Sequence, residues 1–226
     1  MSDGVWAVVP VKPLRGALRR LRSALEAPVR RELQVAMLTD VLRACAGATS
    51  LEGVLIVTSD VDATGLATSI AGARVVPDHD PPRGMNAAVS RGLAAVAEAG
   101  AGAALVLTAD LPLLRPEDID AILAGASAER SVLIVPSHEG TGTNAMLLRP
   151  PTALAPRLGP DSLARHAAQA ARRGLPLGRL VLPRVGLDID TPRDLATLMA
   201  TGGACATLEV CERREIASLL EAGSAL

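Results

Sequence analysis

The chain contains no phenylalanine and no tyrosine, and Trp6 is its single tryptophan. One ring cannot build the stacking platform that single-stranded nucleic acid requires. Lysine is almost as scarce, because all but one of the 23 basic residues are arginine and Lys12 is the exception. Cys45, Cys205 and Cys211 are an odd, scattered set with no CxxC spacing. That excludes a disulfide framework or a cysteine metal site and reads as reduced thiols. Neither sign of charge is in excess, with 24 acidic residues against 23 basic and a net charge of −1. A pI near 6.3 gives no electrostatic basis for nucleic-acid or acidic-membrane binding. No apolar run approaches the roughly 20 residues of a membrane span. The Met1–Gly16 segment carries Pro10 and Lys12 in its apolar run and shows no cleavage site, so it does not read as a signal peptide. These absences together predict a cytoplasmic protein with neither nucleic acid nor membrane as partner.

What is present is 226 residues, 49% of them hydrophobic. That supports one sizeable α/β core, and a single domain over 1–226 is expected. Apolar runs alternate with helical patterns, as in a mostly parallel sheet covered by helices. Strands are predicted at 5–11, 54–58, 74–77, 103–108, 131–136, 144–148, 179–183 and 186–190. Helices are predicted at 29–46, 61–71, 85–99, 116–125, 162–173 and 192–200, with a C-terminal helix at about 207–222. In open α/β sheets the ligand lies beyond the carboxyl ends of the strands. Motifs just after a strand therefore carry the most weight.

"VGLDIDTPRDL" (185–195) puts Asp188 and Asp190 two positions apart. Residues i and i+2 of a strand share a face, so both carboxylates should project to one side. Like charges that close repel unless something positive lies between them. Thr191 as N-cap, Pro192 at N1 and Asp194 at N3 then start a helix. "LTADLPLL" (107–114) ends a buried strand with a lone carboxylate, Asp110. With the other two it forms an all-oxygen set suited to a hard cation such as Mg²⁺.

"VPVKPLRGALRRL" (9–21) leaves the first strand, bends at Pro10 and Pro13, and runs basic through Arg15, Arg19 and Arg20. A compact ammonium at Lys12 differs from a guanidinium where a point charge must enter a narrow phosphate site. The chain has neither GxGxxG nor GxxxxGK[ST], which argues against a dinucleotide site and a P-loop. In "DHDPPRGMNAAV" (78–89), Gly84 allows close backbone approach to a ligand and Asn86 offers donor and acceptor to a base edge. "EGTGTNAMLL" (139–148) is rich in hydroxyl and N–H donors. "LGPDSLARHAAQAARRG" (158–174) starts a helix capped by Asp161 or Ser162, a ready anion site. His166, one turn in, reads as a packed or surface residue, and His79 and His138 share no metal-ligand spacing with it.

The ordered set VPVKPL, GMNAAV, TADLPLL, GTGTNAMLL, LGPDSLARH and LDIDTPRDL resembles the 2-phospho-L-lactate and phosphoenolpyruvate guanylyltransferases (the CofC/FbiD family) of coenzyme F420 biosynthesis. The resemblance covers nearly the whole chain. It implies a Rossmann-like nucleotidyltransferase α/β sandwich of glycosyltransferase-A type and transfer of GMP from GTP. It places acceptor contacts on Thr143, Gly159 and Ser162 and Mg²⁺ ligands on Asp110, Asp188 and Asp190. The nucleotide is expected on Pro10, Lys12, Arg20, Gly84 and Asn86, with Lys12 and Asp110 catalytic. The implied partners are GTP and a small phosphorylated carboxylic acid, with a second copy of the chain as a further candidate. One position departs from the family pattern A-K-[ST]-R-L, since this chain reads Ala17-Leu18-Arg19-Arg20-Leu21. Either Arg19 supplies the missing charge or GTP is held more weakly.

Two rival readings stand beside this one. Molybdopterin guanylyl- or cytidylyltransferases share the fold but carry a Gly-rich L-A-G-G-x-S-x-R-x-G-type first loop, whereas residues 9–21 hold only Gly16. A non-catalytic nucleotide-binding subunit would not need three mutually repelling carboxylates. Phosphoenolpyruvate, 2-phospho-L-lactate and 3-phosphoglycerate are not told apart by any residue.

Overall fold

The computed structural model describes residues 2–16, 18–70, 72–79, 81–126 and 130–223. Its seven-stranded sheet comprises β1 (Ser2–Pro10), β2 (Gly53–Thr58), β3 (Ala73–Pro77), β4 (Ala101–Leu107), β5 (Ser131–Val135), β6 (Ala145–Arg149) and β7 (Leu177–Arg179). The spatial order is β3-β2-β1-β4-β6-β5-β7. Only β6 runs against the rest, pairing antiparallel with both β4 and β5. The predicted mostly parallel sheet is therefore what forms, with one reversed strand.

β1 is central, with Val8 opposite Leu55 on one side and Val106 on the other. Its near-continuous apolar run follows from burial on both faces. Val5, Ala7 and Val9 face α1 (Ala27–Gly47), α2 (Val61–Thr68) and α4 (Pro116–Ala124). Trp6 and Val8 face α3 (Met85–Glu98) and α5 (Ser162–Arg172). Helix α3 sits very close to the sheet at Gly92, where a Cβ would lie 2.5 Å from Val8 Cγ1. Only glycine permits that approach. Helix α1 is buried on two sides: Leu38 and Val41 meet the sheet, while Leu33 and Met37 meet a third cluster. That cluster adds α7 (Pro192–Thr201), α8 (Ala206–Arg213) and α9 (Ile216–Gly223).

Three expectations need correction. Segment 179–183 is not a strand, because β7 ends at Arg179 and Pro183 has no N–H to donate to a ladder. Residues 186–190 are not a strand either: Pro183–Gly186 forms a short helical turn, α6, and 187–190 pair with no strand. The single C-terminal helix is two, because Glu215 takes a left-handed φ of 48° between α8 and α9. That turn lets Cys211 and Ile216 both enter the core. The predicted end of the 61–71 helix, Ala71, lies outside the described residues, and α2 closes at Thr68.

Asp40, buried on α1, caps α8 from across the fold. Its carboxylate accepts from Ala206 N (2.7 Å), Thr207 N (3.0 Å) and Thr207 Oγ1 (2.6 Å). Removing it strands donors that no other group replaces. Asp40→Ala should lower unfolding free energy by about 1–3 kcal/mol in urea titration, and an unchanged midpoint would contradict this role.

Candidate active site

Past the carboxyl ends of β1 and β4, the chain opens a cavity of about 430 Å³. Strand β6 starts at this same edge because it runs in reverse. Lys12 and Arg20 come from the loop after β1, and Thr108 and Asp110 from the loop after β4. Thr143 and Asn144 come from the turn into β6, Gly159 and Ser162 from the start of α5, and Asp188 and Asp190 from the segment before α7. Five separate stretches of sequence thus meet at one edge.

The acidic segment owes its position to hydrogen bonds rather than to a strand ladder. Asn144 Nδ2 donates to Val185 O, Gly186 O and Asp188 Oδ1, each at 3.0 Å. His138 N donates to Gly186 O at 2.8 Å, and Ile189 N to Asp110 O at 3.1 Å. Arg184 grips buried Asp118 through two bonds of 2.9 and 2.7 Å. Ile189 is fully buried, and Asp188 and Asp190 both border the cavity. The expected common side is kept, although no sheet imposes it. The predicted helix start also forms: Thr191 is N-cap, and Asp194 Oδ2 accepts from Thr191 N (2.7 Å) and Asp190 N (3.2 Å).

Electrostatically the carboxylates are uncomfortable. Burial, and after it the charge of Asp188, push the Asp110 carboxyl up to about 7. Asp110 Oδ1 and Thr108 Oγ1 are sealed from solvent with no hydrogen-bond partner among the described residues. Burial also raises Asp188, against the opposing Asn144 bond. Arg20 Nη1 lies 3.1 Å from Asp190 Oδ2 in an exposed pair. A hard cation fits this donor set, since its ligands are all oxygen and Asp110 Oδ1 has no partner among the described residues. No group of three His, Cys, Asp or Glu side chains among the described residues forms a ready-made cage. Mg²⁺ does not need one, because it keeps water and takes ligands from substrate phosphates.

On the opposite wall, Thr143 and Ser162 are buried. Gly159 has φ +110°, a conformation that disfavours any side chain. Asp161 is the N-cap of α5, at φ 53°, without a side-chain capping bond. His166 is fully buried on the face of α5 that carries Ser162; its Nε2 accepts from Arg157 N at 2.9 Å and its Nδ1 lies 3.2 Å from Thr143 Oγ1. The packed reading of His166 is therefore the one realised.

Other expected residues are redistributed. Both ends of the Asn86 amide are committed to Leu158: Oδ1 accepts from its N–H at 2.7 Å and Nδ2 donates to its carbonyl at 3.1 Å. The bonds expected to read a base edge thus hold the Gly159 loop instead. Gly84 is the exposed N-cap of α3 with φ +93°, and Pro10 is buried at the end of β1. Neither borders the cavity, which Met85 reaches instead. Leu18 packs against the third core cluster. Arg20, not Arg19, reaches the cavity, while Ala17 lies outside the described residues.

Sequence alone did not single out Asn144 or Asp60, marked Asp194 only as a helix-start residue and gave His138 no place at the site. His138 lies 4.0 Å from Asp188 Oδ1 and 3.8 Å from Asp194 Oδ1. Asp60 caps α2 and accepts from Leu14 N at 2.8 Å, anchoring the Lys12 loop. Local sequence marks Asp60 and Asp194 only as helix-start residues, and nothing local marks Asn144.

Related structures share this architecture. A protein assigned as a nucleotide-diphospho-sugar transferase from Desulfovibrio desulfuricans superposes with a TM-score of 0.77 over 99% of both chains, at 17% identity. A nucleotidyl transferase from Methanothermobacter gives 0.65 over 87% of this chain and 96% of its own, at 19% identity. The fold is that of the nucleotide-diphospho-sugar transferase type of nucleotidyltransferase. Residues 5–225 match the family described as guanylyl transferase CofC like, and the chain belongs to that family. A phosphoenolpyruvate guanylyltransferase of Conexibacter woesei is 43% identical over 85% of this chain and 86% of its own. One from Rubrobacter xylanophilus is 42% identical over 88% and 95%. Among the described residues no helix is long and apolar enough to cross a membrane.

The raised Asp110 predicts a pH signature in protein stripped of divalent cations. Ionising this carboxyl costs more in the folded than in the unfolded state, so the cost begins near 3.8 and is complete above about 7. Asp110→Asn should therefore be more stable than wild type by about 4 kcal/mol at pH 8, with the gain vanishing near pH 4. Denaturation at the two pH values checks this, and a gain confined to low pH would contradict it.

Proposed function

We propose that this chain transfers the guanylyl group of GTP to the phosphate of a small phosphorylated carboxylic acid, releasing pyrophosphate, as a step of coenzyme F420 biosynthesis. Phosphoenolpyruvate is the preferred acceptor in this reading, with 2-phospho-L-lactate as the alternative. The observation that carries it is the meeting of Asp110, Asp188, Asp190 and Lys12 with Thr143, Gly159 and Ser162 around one cavity. Family membership and the names of the relatives support it.

In the reaction an acceptor phosphate oxygen forms a bond to the α-phosphorus of GTP while the bond to the departing pyrophosphate breaks. A phosphate already ionised near neutral pH needs no general base. Catalysis is then a matter of positioning and charge neutralisation. Mg²⁺ on Asp110, Asp188 and Asp190 would supply positive charge to the phosphates. Lys12 and Arg20 offer cationic groups on the nucleotide side. Thr143, Ser162 and the backbone around Gly159 offer donors to the anionic acceptor.

The test measures pyrophosphate release with GTP, Mg²⁺ and each of phosphoenolpyruvate, 2-phospho-L-lactate and 3-phosphoglycerate. Turnover is expected with phosphoenolpyruvate and lost by about 10³-fold or more in Asp188→Asn, whose fold persists. No release with any acceptor, or near-normal turnover of Asp188→Asn at saturating Mg²⁺, would overturn the proposal. A second prediction concerns the one lysine. Lys12→Arg should lose more than about tenfold in kcat, nearly as much as Lys12→Ala, while GTP binding suffers less. An arginine variant that keeps a tenth or more of kcat would make Lys12 ordinary surface charge.

A further inference from the structure

The geometry points to His166 as a positioning residue: its Nδ1–H donates to Thr143 Oγ1 and so turns the Thr143 hydroxyl proton toward an anionic oxygen of the acceptor. This rests on the reading of the Thr143, Gly159 and Ser162 wall as the acceptor site. The steps follow from what each group can do. A backbone N–H only donates, so the Arg157 N–H at 2.9 Å requires Nε2 to be a bare acceptor. A neutral imidazole then carries its one proton on Nδ1. Burial, with the charges of Arg165 and Arg157, lowers the ring to about 4, so it is neutral near pH 7.

At 3.2 Å, Thr143 Oγ1 must therefore accept from Nδ1 rather than donate to it. One lone pair is used, and the hydroxyl proton has to point elsewhere. Thr143 is 5% exposed and borders the cavity together with Ser162. A threonine left alone can either donate or accept. Held by this ring, its proton is turned away from Nδ1 and is available to donate outward, which favours a negatively charged oxygen. The same histidine fixes the loop leading to Gly159 through Arg157, and Asn86 fixes it through Leu158. One neutral ring thus orients both sides of the anion wall.

Two measurements test this. The first needs no substrate: nitrogen-15 NMR of labelled histidine, in a chain with three histidines, reports which ring nitrogen carries the proton. His166 should show protonated Nδ1 and bare Nε2, and the reverse tautomer would overturn the proposal. The second uses conservative variants, because an asparagine amide nitrogen can stand where Nδ1 stands and a glutamine cannot. His166→Gln should raise KM for phosphoenolpyruvate about tenfold or more while KM for GTP stays within about twofold. His166→Asn should stay within about threefold of wild type. Adding Thr143→Val to His166→Gln should cost less than a further factor of about two, because the same contact is already gone. Equal effects of Asn and Gln, or equal effects on both substrates, would leave His166 a packing residue. If wild type transfers GMP to no phosphorylated acid, the functional reading fails, and the NMR tautomer still decides whether Thr143 is held as a donor. Should His166→Gln not fold, that wild-type spectrum and the Asn variant carry the test.

Discussion

Asp110 and Asp188 repel one another, yet the fold keeps both on one cavity beside Asp190. The amide of Asn144 holds Asp188 there, reaching two carbonyls of the preceding turn and the carboxylate itself. Asp110 is held from behind by the backbone of Ile189. Neither tie neutralises charge, so the strain appears as raised carboxyls and an oxygen with no partner among the described residues. An arrangement of this kind favours a cation and the phosphates that would accompany it, and the rest of the edge is consistent with that demand.

The reversed strand β6 matters here. Because it runs against β4 and β5, its first residues lie at the edge where its neighbours end. The turn carrying Thr143 and Asn144 therefore serves two walls at once. Asn144 fixes the acidic segment, and Thr143 meets the neutral histidine of α5. The two walls differ in chemistry because one exposes carboxylate oxygens and the other exposes donors.

The basic side is looser. Lys12 and Arg20 are both exposed, and the backbone of their loop is tied to the start of α2 by the bond from Leu14 N to Asp60. Leu18, where the family pattern has a lysine, carries no charge and packs against the third core cluster. Arg20 pairs with Asp190 across the cavity mouth. Exposed pairs of this type are weak and exchange partners readily.

Much was legible in the sequence alone. Continuous apolar runs between helical patterns gave the doubly covered sheet, since burial on both faces forbids alternation. The helix start at Thr191–Asp194 was readable because capping is local chemistry. Apolar–polar order also placed Asp188 and Asp190 on one side of Ile189, although the supposed strand there is an extended segment without a ladder. What only the tertiary structure decided is which polar groups are left over. Asn86 looked like a base reader and is spent on Leu158, while Asn144 looked ordinary and holds the acidic segment. His166 looked like a helix residue and proves to be a buried ring with both nitrogens engaged. Hydrogen bonds are short and directional, so their partners depend on chain segments that meet only after folding, and for Asn144 and Asp188 those lie 44 residues apart.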